Sequence, residues 1–386
     1  MIRTIKVMLL PNNKQKTKLF QHANAARFAY NWAINKEEEN YKNGGKFISD
    51  LDLRKEFTIF KQNHENRWLS TISCDVSKQA IKDAVNAYKR FFKGLANHPV
   101  FKSKKHCIPS FYQDNFKIQF TEKKVYLSNI GFIKLSERNK FPVGKGKHKD
   151  FLITNPRIKY DGLSWYITVG IEYEDVTSPS SNDGVGVDLG IKELAICSDG
   201  NVYKNINKTK TIKKLEKRKR RLQRSISRKY LKNKKGESYC KTSNIIKSKK
   251  KLLKINNRLT NICQNYLHQT TSEIIKREPS FICIEDLNVS GLMKNRHLSK
   301  AIQEQKLYEF RKQIEYKAMW NNIPIIIADR FFPSSKLCSC CGNIKKDLKL
   351  SDRIYKCECG NVIDRDYQAS LNLKRYGEMV LEQSIT

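Results

Sequence analysis

The chain has 386 residues, enough to bury a sizeable core and to form two or three domains. Its 75 Lys and Arg against 38 Asp and Glu give a formal charge of +37, which indicates a polyanionic partner, nucleic acid before an anionic membrane surface. Without a signal-peptide pattern or an apolar run of about 18 residues, the sequence predicts a soluble cytoplasmic protein, and its 11 cysteines do not predict a disulfide framework.

The first half of the sequence predicts a sheet interrupted by helices. Residues 1–10 alternate between apolar and polar positions, which is typical of a strand. Residues 14–93 have apolar positions at helical spacing, and residues 96–180 contain short strands separated by polar turns. The first strand and those after residue 110 could close one barrel with the helical block as an insertion. Residues 177–184 are a linker by composition.

After this linker, apolar strands alternate with helices, which predicts an α/β layer architecture. Strands are expected at residues 184–191, 194–203, 281–285 and 323–328. A single helix is expected between the last two, because Ile302, Leu307, Phe310, Ile314 and Met319 have helical spacing.

Three acidic residues lie at the ends of these elements. Asp188 follows Gly-Val-Gly-Val, Glu285 ends Phe-Ile-Cys-Ile, and Asp366 opens a helix-compatible segment. A turn cap for Asp188 and an N-terminal helix position for Asp366 are the structural alternatives. Clustered carboxylates raise one another's pKa unless cations are present, and two Mg²⁺ ions held about 3.5–4 Å apart can hydrolyse a phosphodiester. Since no His follows His297, the trio favours metal-dependent over His-based chemistry.

The C-terminal cysteines have the spacing of a zinc ribbon. Cys338-x-x-Cys341 and Cys357-x-Cys359 would hold Zn²⁺ in a tetrahedron with no open position, so the predicted zinc is structural. Cys340 competes as a ligand, although the knuckle spacing favours its neighbours. Reduced cysteines without a metal are the alternative.

A basic block occupies residues 211–260, with 20 Lys or Arg and only two acidic residues. Apolar residues interrupt the charge, and Lys235-Gly236 divides the block into two helices of a predicted hairpin. A helix pair that follows a phosphate backbone fits the net charge, and a solvated hairpin is the alternative.

Several motifs together resemble the TnpB family, also called OrfB-type transposon proteins, which is similar to the compact type V CRISPR effectors. In chain order they are Arg27-Phe-Ala-Tyr-Asn31-Trp, Phe101-Lys-Ser-Lys104, Gly184-Val-Gly-Val-Asp188-Leu-Gly, Ile284-Glu285-Asp-Leu, Pro333-Ser-Ser-Lys336-x-Cys338-Ser-x-Cys341-Gly and Asp364-Arg-Asp366. The resemblance covers essentially the whole chain. Two departures are Gln368-Ala-Ser370, where the family usually has Asn-Ala-Ala, and a second knuckle of Cys-x-Cys rather than Cys-x-x-Cys.

The resemblance implies a multidomain α+β and α/β fold. It combines a wedge-type β-barrel, a helical recognition insertion, and a RuvC (RNase H-like) nuclease domain with an inserted zinc ribbon. The implied divisions are the first barrel strand 1–13, the insertion 14–95, the rest of the barrel 96–180, RuvC motifs I and II 181–330 with a basic hairpin 205–275, the zinc-ribbon lobe 331–362, RuvC motif III 363–378 and the tail 379–386.

The resemblance also implies roles for single residues. Asp188, Glu285 and Asp366 match the three catalytic acids that hold two Mg²⁺ ions. Cys338, Cys341, Cys357 and Cys359 match the zinc ligands. Arg353 matches an arginine near the scissile phosphate. Asp364 matches an acidic position, although the usual catalytic acid is Asp366.

The resulting hypothesis is an RNA-guided DNA endonuclease of an insertion-sequence transposon. It would bind a guide RNA from the transposon end and double-stranded target DNA beside a short flanking motif, in a prokaryotic cytoplasm at the nucleoid. The alternatives are a guided repressor that does not cut, a transposase that joins strands, and a zinc-ribbon nucleic-acid-binding protein with no chemistry.

Overall fold

The computed structural model describes residues 2–145, 152–172, 182–349 and 352–385. The chain divides into two compact units, Met1–Glu174 and Asp175–Thr386. Most of the predicted linker 177–184 lies outside the described residues. Within the described residues, no helix is long and apolar enough to cross a membrane.

The first unit contains an antiparallel sheet of eight strands and three α-helices. The strands are β1 (Ile2–Leu10), β2 (Ser110–Tyr112), β3 (Gln119–Phe120), β4 (Lys124–Leu127), β5 (Gly131–Leu135), β6 (Gly144–Lys145), β7 (Ile153–Tyr160) and β8 (Trp165–Glu172). The helices are α1 (Asn13–Lys42), α2 (Asp50–Phe60) and α3 (Cys74–Phe92), with a 3-10 helix at His64–Thr71.

The N-terminal strand joins the later strands in one sheet, as the alternation of residues 1–10 predicted. The sheet order is β2-β7-β8-β1-β5-β4-β3-β6, and β1 pairs with β8 from Ile2 to Leu9. Helix α1 begins directly after β1, because Asn12 caps it in a capping box with Gln15. The core forms where Val7 and Leu9 of β1 join the alanine-rich face of α1. Closure of this sheet into a wedge barrel stays a prediction.

The second unit contains a five-stranded sheet, two small hairpins and six helices. Its strands are β9 (Val185–Leu189), β10 (Glu193–Cys197), β11 (Val202–Lys204), β12 (Lys234–Lys235), β13 (Ser238–Tyr239), β14 (Ile282–Glu285), β15 (Ile325–Ala328), β16 (Ile354–Lys356) and β17 (Val362–Asp364). Its helices are α4 (Lys210–Lys232), α5 (Ser243–Lys276), α6 (Val289–Leu292), α7 (Ser299–Gln305), α8 (Leu307–Trp320) and α9 (Arg365–Ile385), with a 3-10 helix at Ile206–Lys208.

The large sheet of this unit has the order β11-β10-β9-β14-β15. β9, β14 and β15 are parallel, whereas β10 and β11 are antiparallel to their neighbours. Val185 and Val187 face a core with α5 and α8, while Cys283 faces a second core with α9. Helices therefore cover both faces of the sheet, and the α/β layers expected from the sequence are confirmed.

The single helix expected between residues 302 and 319 is wrong. It is broken at Lys306, which has a left-handed φ of 55° and separates α7 from α8. At this break the buried Gln305 donates from Nε2 to the carbonyl oxygens of Gly190 and Glu193, at 3.1 and 3.3 Å. These hydrogen bonds anchor the end of α7 to the turn after β9.

Candidate active site and metal centre

Strand alternation and register bring Asp188 and Glu285 together on one face of the five-stranded sheet. Val187 of β9 pairs with Ile284 of β14, so each acid follows a member of the same pair. Because side chains alternate along a strand, both acids lie on the face opposite Val187, which is the face that α9 covers.

Asp366 reaches the same place from the N-terminus of α9, where it is the second residue of the helix. The negative charge of Asp188 interacts with those of both Glu285 and Asp366, which shows that the three acids lie near one another. The structure therefore brings together three residues that are separated widely in sequence. The carboxylate oxygens of the three acids do not all lie within 4.8 Å of one another. Among the described residues, the four-cysteine group is the one whose ligand atoms do.

The electrostatics of this cluster are unfavourable without a cation. Burial, followed by repulsion from Glu285 and Asp366, raises the pKa of Asp188 from 3.8 to about 8. Burial, followed by the neighbouring Asp286, also raises the pKa of Glu285. Carboxylates in such a place are stabilised by hard cations, so the donor set fits Mg²⁺.

Two arginines partly neutralise the third acid. Arg365 lies 3.1 Å from Asp366 through Nη2, and Arg353 lies 3.6 Å from the other carboxylate oxygen through Nη1. Arg353 is thus beside the site, about half exposed at 49%. Asp364 has a different role, because its Oδ1 accepts hydrogen bonds from the backbone N–H groups of Asp366 and Tyr367. Asp364 therefore caps α9 and fixes the direction of Asp366.

Three ion pairs near the acids were not predicted from the sequence: Arg365 with Asp366, and Asp286 with Arg311 and with Arg330. For Arg365, its position between the two acids of Asp364-Arg-Asp366 could have indicated the contact. Asp286 follows Glu285 and accepts from Arg311 at 2.8 Å and from Arg330 at 2.6 Å. These two guanidinium groups lower the pKa of Asp286, and they distinguish this paired carboxylate from the cation-poor Glu285 beside it.

The four predicted zinc ligands form one sulfur cluster. The Sγ atoms of Cys338, Cys341, Cys357 and Cys359 all lie within 4.8 Å of one another. The Cys338–Cys359 and Cys341–Cys357 sulfur distances are 3.7 and 3.6 Å. A tetrahedron with metal–sulfur bonds of about 2.3 Å has sulfur–sulfur edges of about 3.8 Å, so the cluster could hold a structural zinc ion. Cys340 is exposed and is not a member of the cluster.

Turn geometry explains how so short a lobe forms this cluster. Gly342 and Gly360 follow the knuckles with φ of 75° and 89°, a region that glycine adopts without strain. The second knuckle connects β16 and β17, and its shortened Cys-x-Cys spacing still brings both sulfurs into the cluster.

Gln368 connects the sulfur cluster to the helix that carries Asp366. The buried Oε1 of Gln368 accepts from Asn361 Nδ2 at 3.1 Å, and the same Nδ2 lies 3.4 Å from Cys338 Sγ. Ser370, the other departure from the usual motif, is buried and donates to the carbonyl of Tyr367 at 2.7 Å. Each departure therefore makes a specific hydrogen bond, while Nε2 of Gln368 is buried without a partner among the described residues.

The fold resembles that of a compact RNA-guided effector complex. A solved structure entitled "Cryo-EM structure of the Cas12f1-sgRNA-target DNA complex" matches 97% of this chain and 98% of that chain, with a TM-score of 0.51 and 13% identity. This likeness defines the class of the fold, a multidomain α+β architecture shared with Cas12f1.

Sequence comparison identifies the family. Segments match the families described as "Helix-turn-helix domain" (OrfB_IS605, residues 1–46), "Probable transposase" (OrfB_IS605, residues 168–296) and "Cas12f1-like, TNB domain" (residues 308–373). Over these three segments the chain is similar to the OrfB proteins of IS605-type transposons, the TnpB-like proteins. In the first segment, residues 2–46 form β1 and the single helix α1 rather than two helices across a turn.

Full-length relatives carry a consistent name. The chain is 28% identical to "Putative RNA-guided DNA endonuclease InsQ" of Escherichia coli (strain K12), over 98% of this chain and 93% of the relative. It is also 28% identical to a "Putative RNA-guided DNA endonuclease" of Streptomyces pristinaespiralis, over 97% of this chain and 89% of the relative.

Proposed function

We propose that this protein is an RNA-guided DNA endonuclease of an insertion-sequence transposon, with Asp188, Glu285 and Asp366 as its catalytic acids. The observation that carries the proposal is the meeting of these acids at one end of β9, β14 and α9, where Asp188 acquires a pKa of about 8. The sheet order, with three parallel and two antiparallel strands, supports an RNase H-like domain of the RuvC type. The names of the full-length relatives support the same activity.

The partners follow from the same reasoning. A guide RNA derived from the transposon end would bind the basic surfaces and pair with one DNA strand. The protein would read a short flanking motif, because base pairing reads the remainder of the target. The eight-stranded sheet would be the wedge barrel and α1–α3 the recognition insertion. The nuclease would then cut each strand in turn.

In the reaction, the residues of the chain hold and orient the substrate phosphate. Asp188, Glu285 and Asp366 would hold two Mg²⁺ ions, which when bound supply an activated water and stabilise the leaving oxygen. Arg353 is half exposed beside Asp366, so its guanidinium can move to a phosphate oxygen, while Arg365 keeps the carboxylate of Asp366 in place. Zn²⁺ held by the four cysteines would be structural, because no position of the tetrahedron is open to substrate.

The proposal is tested with the protein co-expressed with its transposon-end RNA, a target plasmid and Mg²⁺. Asp188→Asn should lose cleavage by about 10³-fold or more, since a metal contributes several kcal/mol to the transition state. Binding of guide and target should remain. Asp183→Asn is the matched control, because Asp183 is exposed and pairs with Lys374 at 3.2 Å.

Folding of the variant is checked separately. Asp188→Asn should not lower the thermal midpoint in EDTA, because without a cation the folded state has to protonate this buried carboxyl, whose pKa is about 8, whereas Asn needs no proton. Full cleavage by Asp188→Asn would refute the assignment. Guide-dependent binding with no cleavage by the wild type would indicate a repressor, and joined strands would indicate a transposase.

A further inference from the structure

An aromatic cavity of about 510 Å³ lies in the first unit, between the end of α1, the loop after it and the end of α3. Its volume is within the range of pockets that bind small organic molecules. Six ring-bearing residues line it, namely Tyr41, Phe47, Tyr88, Phe91, Phe92 and His98. The proposed nuclease chemistry, which belongs to the second unit, does not use this cavity.

The rings pack edge to face against one another, and several remain exposed to solvent. Phe47 meets Phe92 edge to face at 5.4 Å between ring centroids, and Phe91 meets His98 at 5.1 Å. Phe92 is nevertheless 62% exposed and Tyr41 is 82% exposed. Such rings can present their negative faces to a ligand.

Two carboxylates, Glu37 and Glu38, and the phenol of Tyr88 complete the cavity wall, and two of their polar atoms lack hydrogen-bond partners within the part of the chain that the structure describes. Glu37 is 5% exposed, and although its Oε2 accepts from the N–H of Ile48 at 3.3 Å, its Oε1 has no hydrogen-bond partner. The buried hydroxyl of Tyr88 also has none. Leaving a buried polar atom unpaired costs about 1–3 kcal/mol.

The charge of the wall is opposite to that of the chain. In a protein with 75 Lys and Arg, neither Glu37 nor Glu38 has an ion-pair partner among the described residues, whereas the adjacent Glu39 lies 3.8 Å from Lys36. Burial raises the pKa of Glu37. Burial, followed by the charges of Glu38 and Glu37, raises the pKa of Tyr88 to about 12, so both carboxylates act on this hydroxyl.

We propose that this cavity binds a protonated alkylamine, whose ammonium group donates to Glu37 Oε1 and Tyr88 Oη while its methylene groups lie against the rings. An ammonium has three donors and no acceptor, so it satisfies both unpaired atoms. A cation over an aromatic face gains about 0.5–2 kcal/mol. The carboxylates would repel a phosphate-bearing ligand. The same chemistry occurs in a free polyamine and in a lysine side chain of a partner polypeptide.

The test is calorimetric titration of the full chain with spermidine, with N-acetyl-lysine methylamide and with its uncharged norleucine analogue. At least one amine should bind at a single site with a Kd below about 1 mM, and the norleucine compound should not bind. Tighter binding of spermidine indicates a free polyamine, and tighter binding of the lysine compound indicates a polypeptide partner.

Variants locate the binding. Glu37→Gln and Phe92→Ala should each weaken it at least tenfold, while Glu39→Gln, two residues after Glu37 on α1, should not change it. Since Phe92 is mostly exposed, its variant keeps the test valid if Glu37→Gln does not fold. Absence of amine binding, equal affinity in the Phe92 variant, or preferential binding of a nucleoside would overturn the proposal.

Discussion

Gly186 is the residue that lets α9 approach the sheet closely enough to bring Asp366 beside Asp188. A Cβ atom at this position would overlap the carbonyl oxygen of Ser370 and the amide nitrogen of Lys374, both in the backbone of α9. Backbone atoms cannot rotate away as the end of a flexible side chain can. The spacing between strand and helix therefore depends on a missing side chain two residues before Asp188.

Gly186→Ala should displace α9 and separate Asp366 from Asp188 and Glu285. Overpacking of this kind costs about 1–3 kcal/mol, which predicts a lower thermal midpoint. A displacement of about 1 Å can reduce a rate about 10²-fold, so cleavage should fall by about this factor at temperatures where the variant stays folded. A thermal melt measures the stability, and plasmid cleavage measures the rate.

Gly190→Ala, at the turn just after the same strand, is the control. A Cβ there would lie 3.3 Å from the carbonyl oxygen of Glu193, a contact that small shifts relieve. Equal losses of cleavage in the two variants would argue against a specific role for Gly186.

At the scale of single residues, the sequence predicted the carboxylates better than their partners. Asp188 and Glu285 are conspicuous because they are the next-to-last residue of apolar β9 and the last residue of apolar β14. Arg353 and Arg365 reach Asp366 only through the geometry of the β16–β17 hairpin and the start of α9, which spacing alone does not define. The sequence left Cys340 as an alternative zinc ligand. In the structure Cys338 and Cys341, and not Cys340, belong to the sulfur cluster.

Among the elements, the lobe that carries the four clustered cysteines has the smallest apolar core. Its hairpin strands have three residues each, and among its described residues Tyr355 is the one large side chain that is fully buried. A metal ion bound by the four cysteine sulfurs would hold so small a lobe together. It joins α9 through Asn361 and Gln368, so its loss should reach Asp366.

Cys341→Ser should remove zinc from the lobe and reduce cleavage, because three thiolates bind the ion much more weakly than four. Cys341 is exposed, so the substitution does not open a cavity. Cys340→Ser is the matched control, one residue away and outside the cluster, and it should keep one zinc ion per chain. Metal content by mass spectrometry and cleavage rate are the measurements. Loss of zinc from the Cys340 variant would contradict the assigned ligand set.

Elements were predictable where the local pattern and the packing agree. The basic block formed the two expected helices, α4 and α5, with a break at Gly236, which has φ of 56°. The break at Lys306 was not predictable, because the apolar spacing continues across it. Only the tertiary contact of Gln305 with the β9–β10 turn favours two helices there.

For the whole molecule, the excess positive charge is concentrated on the hairpin of α4 and α5. Leu215, Ile212, Ile255 and Leu259 pack between the two helices. Beside them a groove of about 520 Å³ is lined by Arg218, Arg221, Lys251, Lys254 and Arg258. None of these five cations has an ion-pair partner among the described residues, so the groove is available to a polyanion.

Replacing Arg218, Arg221 and Lys254 together by Gln should weaken guide-RNA binding in a salt-dependent way. Each phosphate contact contributes about 0.7–0.9 to the slope of log K against log salt, so losing three should reduce the slope by about 2–3. The affinity loss should be large at 50 mM salt and small at 200 mM, as measured by filter binding.

The control replaces Lys36, Lys55 and Lys300 by Gln, which changes the net charge equally but removes cations already paired with neighbouring carboxylates. If both triple variants reduced the slope equally, the RNA would respond to the total charge of the protein rather than to the groove. A reduction confined to the hairpin variant would mean that the groove itself contacts the phosphates.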